Sequence, residues 1–180
     1  ADIDRPFCFE QDADDVAALL QQLHTGKADI MGFSNGGTTS LQIAIRHPEV
    51  VNKLVLASTA FKRDGMQPGF FEGMQHASLD NMPLPLKEAF QEINPDPKAL
   101  QAMFNRDATR MIAFKDISDA DIKAIQSPAL VINSDADVVR TEHALALSRM
   151  LPHAQLAILP GGHGDYIGEI CAPNKDSKMP

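Results

Sequence analysis

The sequence predicts an α/β fold with a mainly parallel sheet, on three observations. Four strand-sized apolar runs, Ala28 to Phe33, Lys53 to Ala57, Ala129 to Asn133 and Gln155 to Leu159, are separated by stretches with helical spacing, and strands joined through helices pair in parallel by right-handed crossovers. The composition, 44% apolar and 22% charged with 11 Gly and 12 Pro in 180 residues, is that of a packed globular chain rather than a disordered, collagen-like or coiled-coil one. The longest apolar runs stop far short of the roughly 20 residues that a membrane-spanning helix needs.

In chain order, Ala13, Val16, Ala17, Leu20 and Leu23 repeat at spacings of three and four, which predicts a first helix. Asp12, Asp14 and Asp15 fall in its expected first turn, where carboxylates suit the positive end of the helix dipole without any metal. A turn at Thr25-Gly26 leads into the first strand, and Ser34-Asn35-Gly36-Gly37 opens a second helix carrying Leu41, Ala44 and Ile45 up to His47. Pro48 ends that helix. The second strand, Lys53 to Ala57, is followed by Ser58 and Thr59. Residues 60 to 127 then change character: Met and Phe concentrate there, Pro83, Pro85, Pro95 and Pro97 punctuate it, and Leu100, Met103, Phe104, Met111 and Phe114 fall at helical spacing. This stretch reads as a small helical insertion whose Met-rich stripe packs as core or, being adaptable, lines a binding wall. Alternation resumes with Ala129 to Asn133, a helix over Thr141 to Met150, and Gln155 to Leu159 closing on Pro160-Gly161-Gly162-His163-Gly164. The polar tail Ala172 to Pro180 is expected to fray. The resulting division is 1–59 and 128–180 as two parts of one core, with 60–127 as a cap between them.

Charge and cysteine usage narrow the partners. The net charge of −8 is the wrong sign for binding phosphate backbones or anionic lipid, so no nucleic acid and no membrane are expected and a small-molecule partner fits better. Cys8 and Cys171 are too sparse for a disulfide framework or a zinc site and read as structural thiols. The chain opens with Ala1, carries no signal-like segment, and is read as cytoplasmic. No metal and no organic cofactor are implied by any motif.

Gly32-Phe33-Ser34-Asn35-Gly36 is a G-x-S-x-G between a strand and a helix, the setting that presents a serine on a sharp turn. Alone the match is modest, since it arises by chance roughly once in ten to twenty chains of this length, and Ser34 could simply cap the helix. Two further sites strengthen it: Ser134-Asp135-Ala136-Asp137 directly follows the third strand and His163 the fourth, in the order serine, acid, histidine. A serine hydroxyl becomes a good nucleophile when an imidazole takes its proton, and the imidazole needs a carboxylate to hold its tautomer. The other histidines, His24, His47, His76, His143 and His153, have no such setting and read as structural.

Taken together these segments resemble the α/β-hydrolase fold, in particular its cap-bearing serine esterases and lactonases. The resemblance covers nearly the whole chain: Phe9 to Leu23 is similar to the helix before the elbow, Ala28 to Gly37 to the nucleophile elbow with its glycines Gly32 and Gly36, and residues 60–127 to the cap. Ser134-Asp135-Ala136-Asp137 resembles the family's G-D-x-D with Ser in place of Gly, which implies Asp137 as the acid and Asp135 as a loop-shaping residue. The implied catalytic set is Ser34, Asp137 and His163, with the backbone NH of Asn35 as one oxyanion donor and Phe33, Phe70, Phe71 and Met74 against the substrate. Ester or lactone hydrolysis follows as the implied activity; Asp replaces the serine in dehalogenases and epoxide hydrolases of this fold, whereas perhydrolase and carbon–carbon hydrolase activities share the triad. The alternative from another class is a non-catalytic binding protein on the same scaffold. The family also has strands before the elbow, a loop giving the second oxyanion donor, and a final helix, none of which has a counterpart in the pattern of this sequence. The core is therefore expected to be incomplete, with an exposed sheet edge that favours association and weak activity for this chain alone. The oligomeric state is left open.

Overall fold

In the computed structural model, residue 5 and residues 7–172 are described; most of the polar tail expected to fray lies outside them. Four strands, β1 (Ala28–Phe33), β2 (Val51–Ala57), β3 (Ala129–Ser134) and β4 (Ala154–Leu159), form one parallel sheet in the order β1-β2-β3-β4. The helices α1 (Phe9–Gln22), α2 (Asn35–Arg46), α3 (Phe70–Gln75), α4 (Leu84–Ile93), α5 (Pro97–Ile112), α6 (Asp119–Ala124) and α7 (Thr141–Met150) complete the elements. The register aligns Phe33 with Ala57, Ala57 with Ile132, and Ser134 with Leu159, so all four strands end at one edge. That edge carries the site.

Apolar runs long enough for strands form the sheet, and its pleat assigns alternate residues to opposite faces. Leu54, Leu56, Ala129 and Val131 point into a core closed by Ala13 and Ala17 of α1, Leu41, Ile43 and Ala44 of α2, and Ala144 and Leu147 of α7. The opposite face carries Met31, Val55 and Leu130 beside Asp29, Lys53 and Gln155, which line an open trough of about 460 Å³. Met31 is 58% exposed there. Parallel sheets are ordinarily covered on both faces; among the described residues the helices that pack on this sheet, α2 and α7, lie on the side of Leu54 and Leu56.

Two expectations need correction. Of the three acids expected in the first turn of α1, Asp12 lies there, with Glu10, whereas Asp14 and Asp15 fall beyond it, because the helix begins at Phe9 with Cys8 as its cap, the thiol accepting the Gln11 amide. All three also form ion pairs away from the helix: Asp12 with Arg110, Asp14 with Arg46 and His47, and Asp15 with Arg5. The hydrogen bonds from Arg46 and then His47 draw the Asp14 carboxyl down to about 2. The stretch 60–127 also divides. Helices α3 and α4 each pack on α5, whereas α6 contacts α2 and α7 and places Ile122, with Ile117 and Ile125 beside it, in the main core. Its single turn and a half was too short to show a periodicity of its own.

His143 of α7 is a structural histidine with a measurable consequence. Its ring stacks on Phe61 at 4.0 Å, and Nε2 accepts the Phe61 amide at 3.0 Å. Burial pushes the imidazole down to about 4, the negative charge of Asp64 opposing that only in part. Unfolded, the same group takes its proton near 6.5, so between those values the unfolded chain binds more protons and stability falls as pH falls. The perturbed carboxylates Asp14, Asp119 and Asp137 are all lowered and stay ionised across pH 5 to 6.5. Urea midpoints measured over that window are expected to show a loss of roughly 1.5 kcal/mol; a flat profile would remove His143 as the cause.

Candidate active site

The elbow is built from the strand end inward. Ser34 follows β1 with φ 54°, a region that side chains rarely adopt, and it precedes α2 without capping it through its side chain. The tight turn demands close backbone contact. A Cβ on Gly32 would run into the Gly36 carbonyl and Ser40 Oγ, and one on Gly37 into Thr59. A Cβ on Gly36 would meet nothing, so the second steric requirement falls on Gly37 rather than on Gly36 of the motif. Not engaged in capping the helix, the Ser34 hydroxyl faces the histidine loop.

Three amides past the strand ends continue the sheet's hydrogen-bond ladder: Ser34 NH to the Ala57 carbonyl at 2.9 Å, Ser58 NH to Ile132 at 2.8 Å, and Asp135 NH to Leu159 at 2.9 Å. The elbow, the β2 loop and the acid loop are thereby fixed to the sheet. Asp135 shapes the next loop, its carboxylate accepting the Gly161 amide at 2.9 Å while the Ala136 amide donates to the Gly161 carbonyl at 3.0 Å. His163 follows on that loop.

Ser34, Asp137 and His163 meet. His163 Nε2 stands 3.1 Å from Ser34 Oγ, and its Nδ1 stands 2.7 Å from Asp137 Oδ1. The Asp137 side chain is fully buried, whereas that of His163 is about one-quarter exposed, which suits a group that exchanges protons with a substrate. Burial alone would raise the Asp137 carboxyl, but hydrogen bonds from His163, Ser58 and the Val139 amide outweigh it and hold the group below its ordinary value. It is therefore a carboxylate at neutral pH, able to accept Nδ1–H and leave Nε2 as the acceptor for the Ser34 proton.

A cavity of about 190 Å³ opens beside Ser34 and His163. Phe70, Phe71, Met111 and Phe114 form its apolar wall and Asn35 its rim. Asn35 is the first residue of α2, where an amide has no carbonyl of its own helix to bond. Two residues expected against substrate stand elsewhere: Phe33 packs against the His163 ring, centroids 4.6 Å apart, and Met74 lines a separate cavity of about 270 Å³ with Met82, Met103 and Phe104. No helix among the described residues is long and apolar enough to cross a membrane.

The sequence model of the alpha/beta hydrolase fold matches residues 3–95, just over half of the chain. The chain belongs to the α/β hydrolase fold family. Among curated relatives, the pimeloyl-[acyl-carrier protein] methyl ester esterase of Vibrio atlanticus is 26% identical over 192 aligned residues, covering 92% of this chain and 74% of that protein. The human serine hydrolase BPHL is 25% identical over 170 residues, covering 86% and 54%. A meta-cleavage product hydrolase of Pseudomonas fluorescens superposes with a TM-score of 0.70 at 24% identity, over 90% of this chain and 67% of that one, a likeness of fold. The chain spans between 50% and 64% of the length of three curated relatives that it matches.

For an α/β hydrolase, the residues that sequence reasoning missed are Ser58 and Tyr166. Ser58 Oγ stands 2.5 Å from Asp137 Oδ2, and the Tyr166 hydroxyl 2.8 Å from Ser58 Oγ. The one available signal was position: Ser58 follows its strand as Ser34 follows β1.

Proposed function

We propose that this α/β hydrolase cleaves a small ester or lactone through an acyl-enzyme. The observation that carries the reading is the unbroken line from Ser34 Oγ through His163, at 3.1 Å, to Asp137, at 2.7 Å. Ser34 Oγ attacks the carbonyl carbon while His163 Nε2 takes its proton, and the Asp137 carboxylate holds Nδ1–H and stabilises the imidazolium. The Asn35 amide steadies the developing oxyanion. His163 then returns the proton to the departing alkoxide oxygen, and water activated by the same ring releases the acid. The cavity of about 190 Å³ is below the usual 300–1,000 Å³ of small-molecule pockets, and its Phe and Met wall favours a compact apolar acyl group. The methyl ester esterase and the serine hydrolase among the relatives agree with this chemistry.

The test is intact-mass spectrometry after treatment with a fluorophosphonate. One adduct, mapped by digestion to Ser34, is the expected outcome. Absence of label on Ser34 in the folded protein would overturn the hydrolase reading and favour a binding role for the cavity.

A further inference from the structure

Two hydroxyls stand behind the acid and take no part in the proton transfers just described. Phe33 and Ala57 are register partners, so Ser34 and Ser58 occupy equivalent places after adjacent strands. Both are bent the same way, with φ 54° and 48°. The bend at Ser58, a residue with no exposed surface, turns its hydroxyl onto Asp137. A carboxylate only accepts, so the single Ser58 hydrogen goes to Asp137 Oδ2, and Tyr166 must be the donor to Ser58 Oγ. On the other oxygen, Asp137 Oδ1 takes the Val139 amide at 3.0 Å and His163 Nδ1–H at 2.7 Å. Tyr166 lies three residues beyond His163, so the hydroxyl pair ties the end of β2 to the histidine loop through the acid.

We propose that Ser58 and Tyr166 are positioning residues that fix the rotation of the Asp137 carboxylate and share its charge, and so set the pH at which His163 becomes a base toward Ser34. This rests on the triad reading above. A carboxyl group turns through a broad, shallow torsional well about its last bond; the Ser58 hydroxyl on Oδ2 pins it with Oδ1 toward the imidazole. Each hydrogen bond to Oδ2 also draws negative charge to that oxygen. Removing the Ser58 donor concentrates charge on Oδ1, favours the imidazolium, and raises the pH at which the ring loses its proton. The ionisable groups against Asp137 are His163 and Tyr166, both from the loop after β4. Ser58 is the contact from the end of β2, and the cavity lining holds no ionisable side chain apart from His163.

The test follows the rate of Ser34 modification by a fluorophosphonate against pH. In that reaction the Oγ–P bond forms, fluoride leaves with the P–F electrons, and His163 takes the hydroxyl proton, so no knowledge of the natural substrate is needed. The unsubstituted protein is compared with Ser58→Ala, Ser58→Gly and Tyr166→Phe; glycine takes a positive φ without strain and covers the case in which alanine does not fold. Both Ser58 variants are expected to lose roughly tenfold in plateau rate and to move the inflection upward by about half a pH unit, with Tyr166→Phe shifting it less in the same direction. A lower plateau with an unmoved inflection in both Ser58 variants would reduce these hydroxyls to packing and overturn the proposal while leaving the triad reading intact. No modification of Ser34 in the unsubstituted protein would overturn both together.

Discussion

Replacing Ser34 with alanine is expected to lower turnover of a chromogenic ester by a factor on the order of 10⁴ to 10⁶, with little change in the urea midpoint. The size of the loss follows from the role: without Oγ there is no acyl-enzyme, and what survives is the help of the cavity and the Asn35 amide to attack by water. The small effect on stability follows from the backbone. Ser34 sits at φ 54°, its hydroxyl does not cap α2, and its one described side-chain partner is the His163 ring. Ser34→Gly sharpens the experiment. Glycine relieves the left-handed conformation and should be more stable than the alanine variant by about 1 kcal/mol while being equally inactive. If either variant kept turnover within tenfold of the unsubstituted protein, Ser34 would not be the nucleophile.

The second large effect is expected at Asp137. Asp137→Asn should lower kcat by about 10⁴, because the amide NH₂ presented to Nδ1 favours the tautomer with hydrogen on Nε2, which cannot accept the Ser34 proton. The stability change has a sign that can be checked independently. Burial raises the Asp137 carboxyl, but its three donors more than reverse this and lower it overall. A carboxylate lowered by folding contributes stability that is present above its unfolded value and lost as pH falls through the folded one. The asparagine variant is therefore the less stable protein at pH 7, and the two urea midpoints converge as the pH falls below about 4. A kcat within tenfold of the unsubstituted protein would show that another group orients His163.

Much of this was legible in the sequence, for reasons that can be named residue by residue. The span Ala28–Phe33 and the helix Thr141–Met150 follow from local periodicity bounded by Gly26, Ser34 and the loop before Thr141, where nothing distant competes. That Ser34, Asp137 and His163 come together could be read because each lies in the loop after a strand, and parallel strands end at a common edge. The remainder depends on tertiary geometry. Ser58 and Tyr166 carry no spacing that marks them, since their partner Asp137 is 79 residues from one and reaches the other only through it. Met74 and Met111 lie on helices packed against each other, α3 and α5, yet Met111 borders the Ser34 cavity and Met74 does not; helical spacing gives a face, not which of two voids that face closes. The acids of α1 look like dipole partners until Arg46 and Arg110 are brought beside them by packing. Gly37 rather than Gly36 meets a neighbour because Thr59 arrives from another strand's loop.

The three amides of Ser34, Ser58 and Asp135 that bond to the next strand's carbonyl make the elbow, the β2 loop and the acid loop the terminal rungs of the sheet itself. Flexible loops commonly open at a small fraction of the global unfolding free energy, which lets an enzyme fade on warming well before it melts. Here Ser34 and the loop of Asp137, the proposed nucleophile and acid, cannot drift apart unless a rung shared with β2, β3 or β4 breaks. Separation of Ser34 from the acid loop on heating is therefore expected to coincide with the opening of the sheet rather than to precede it.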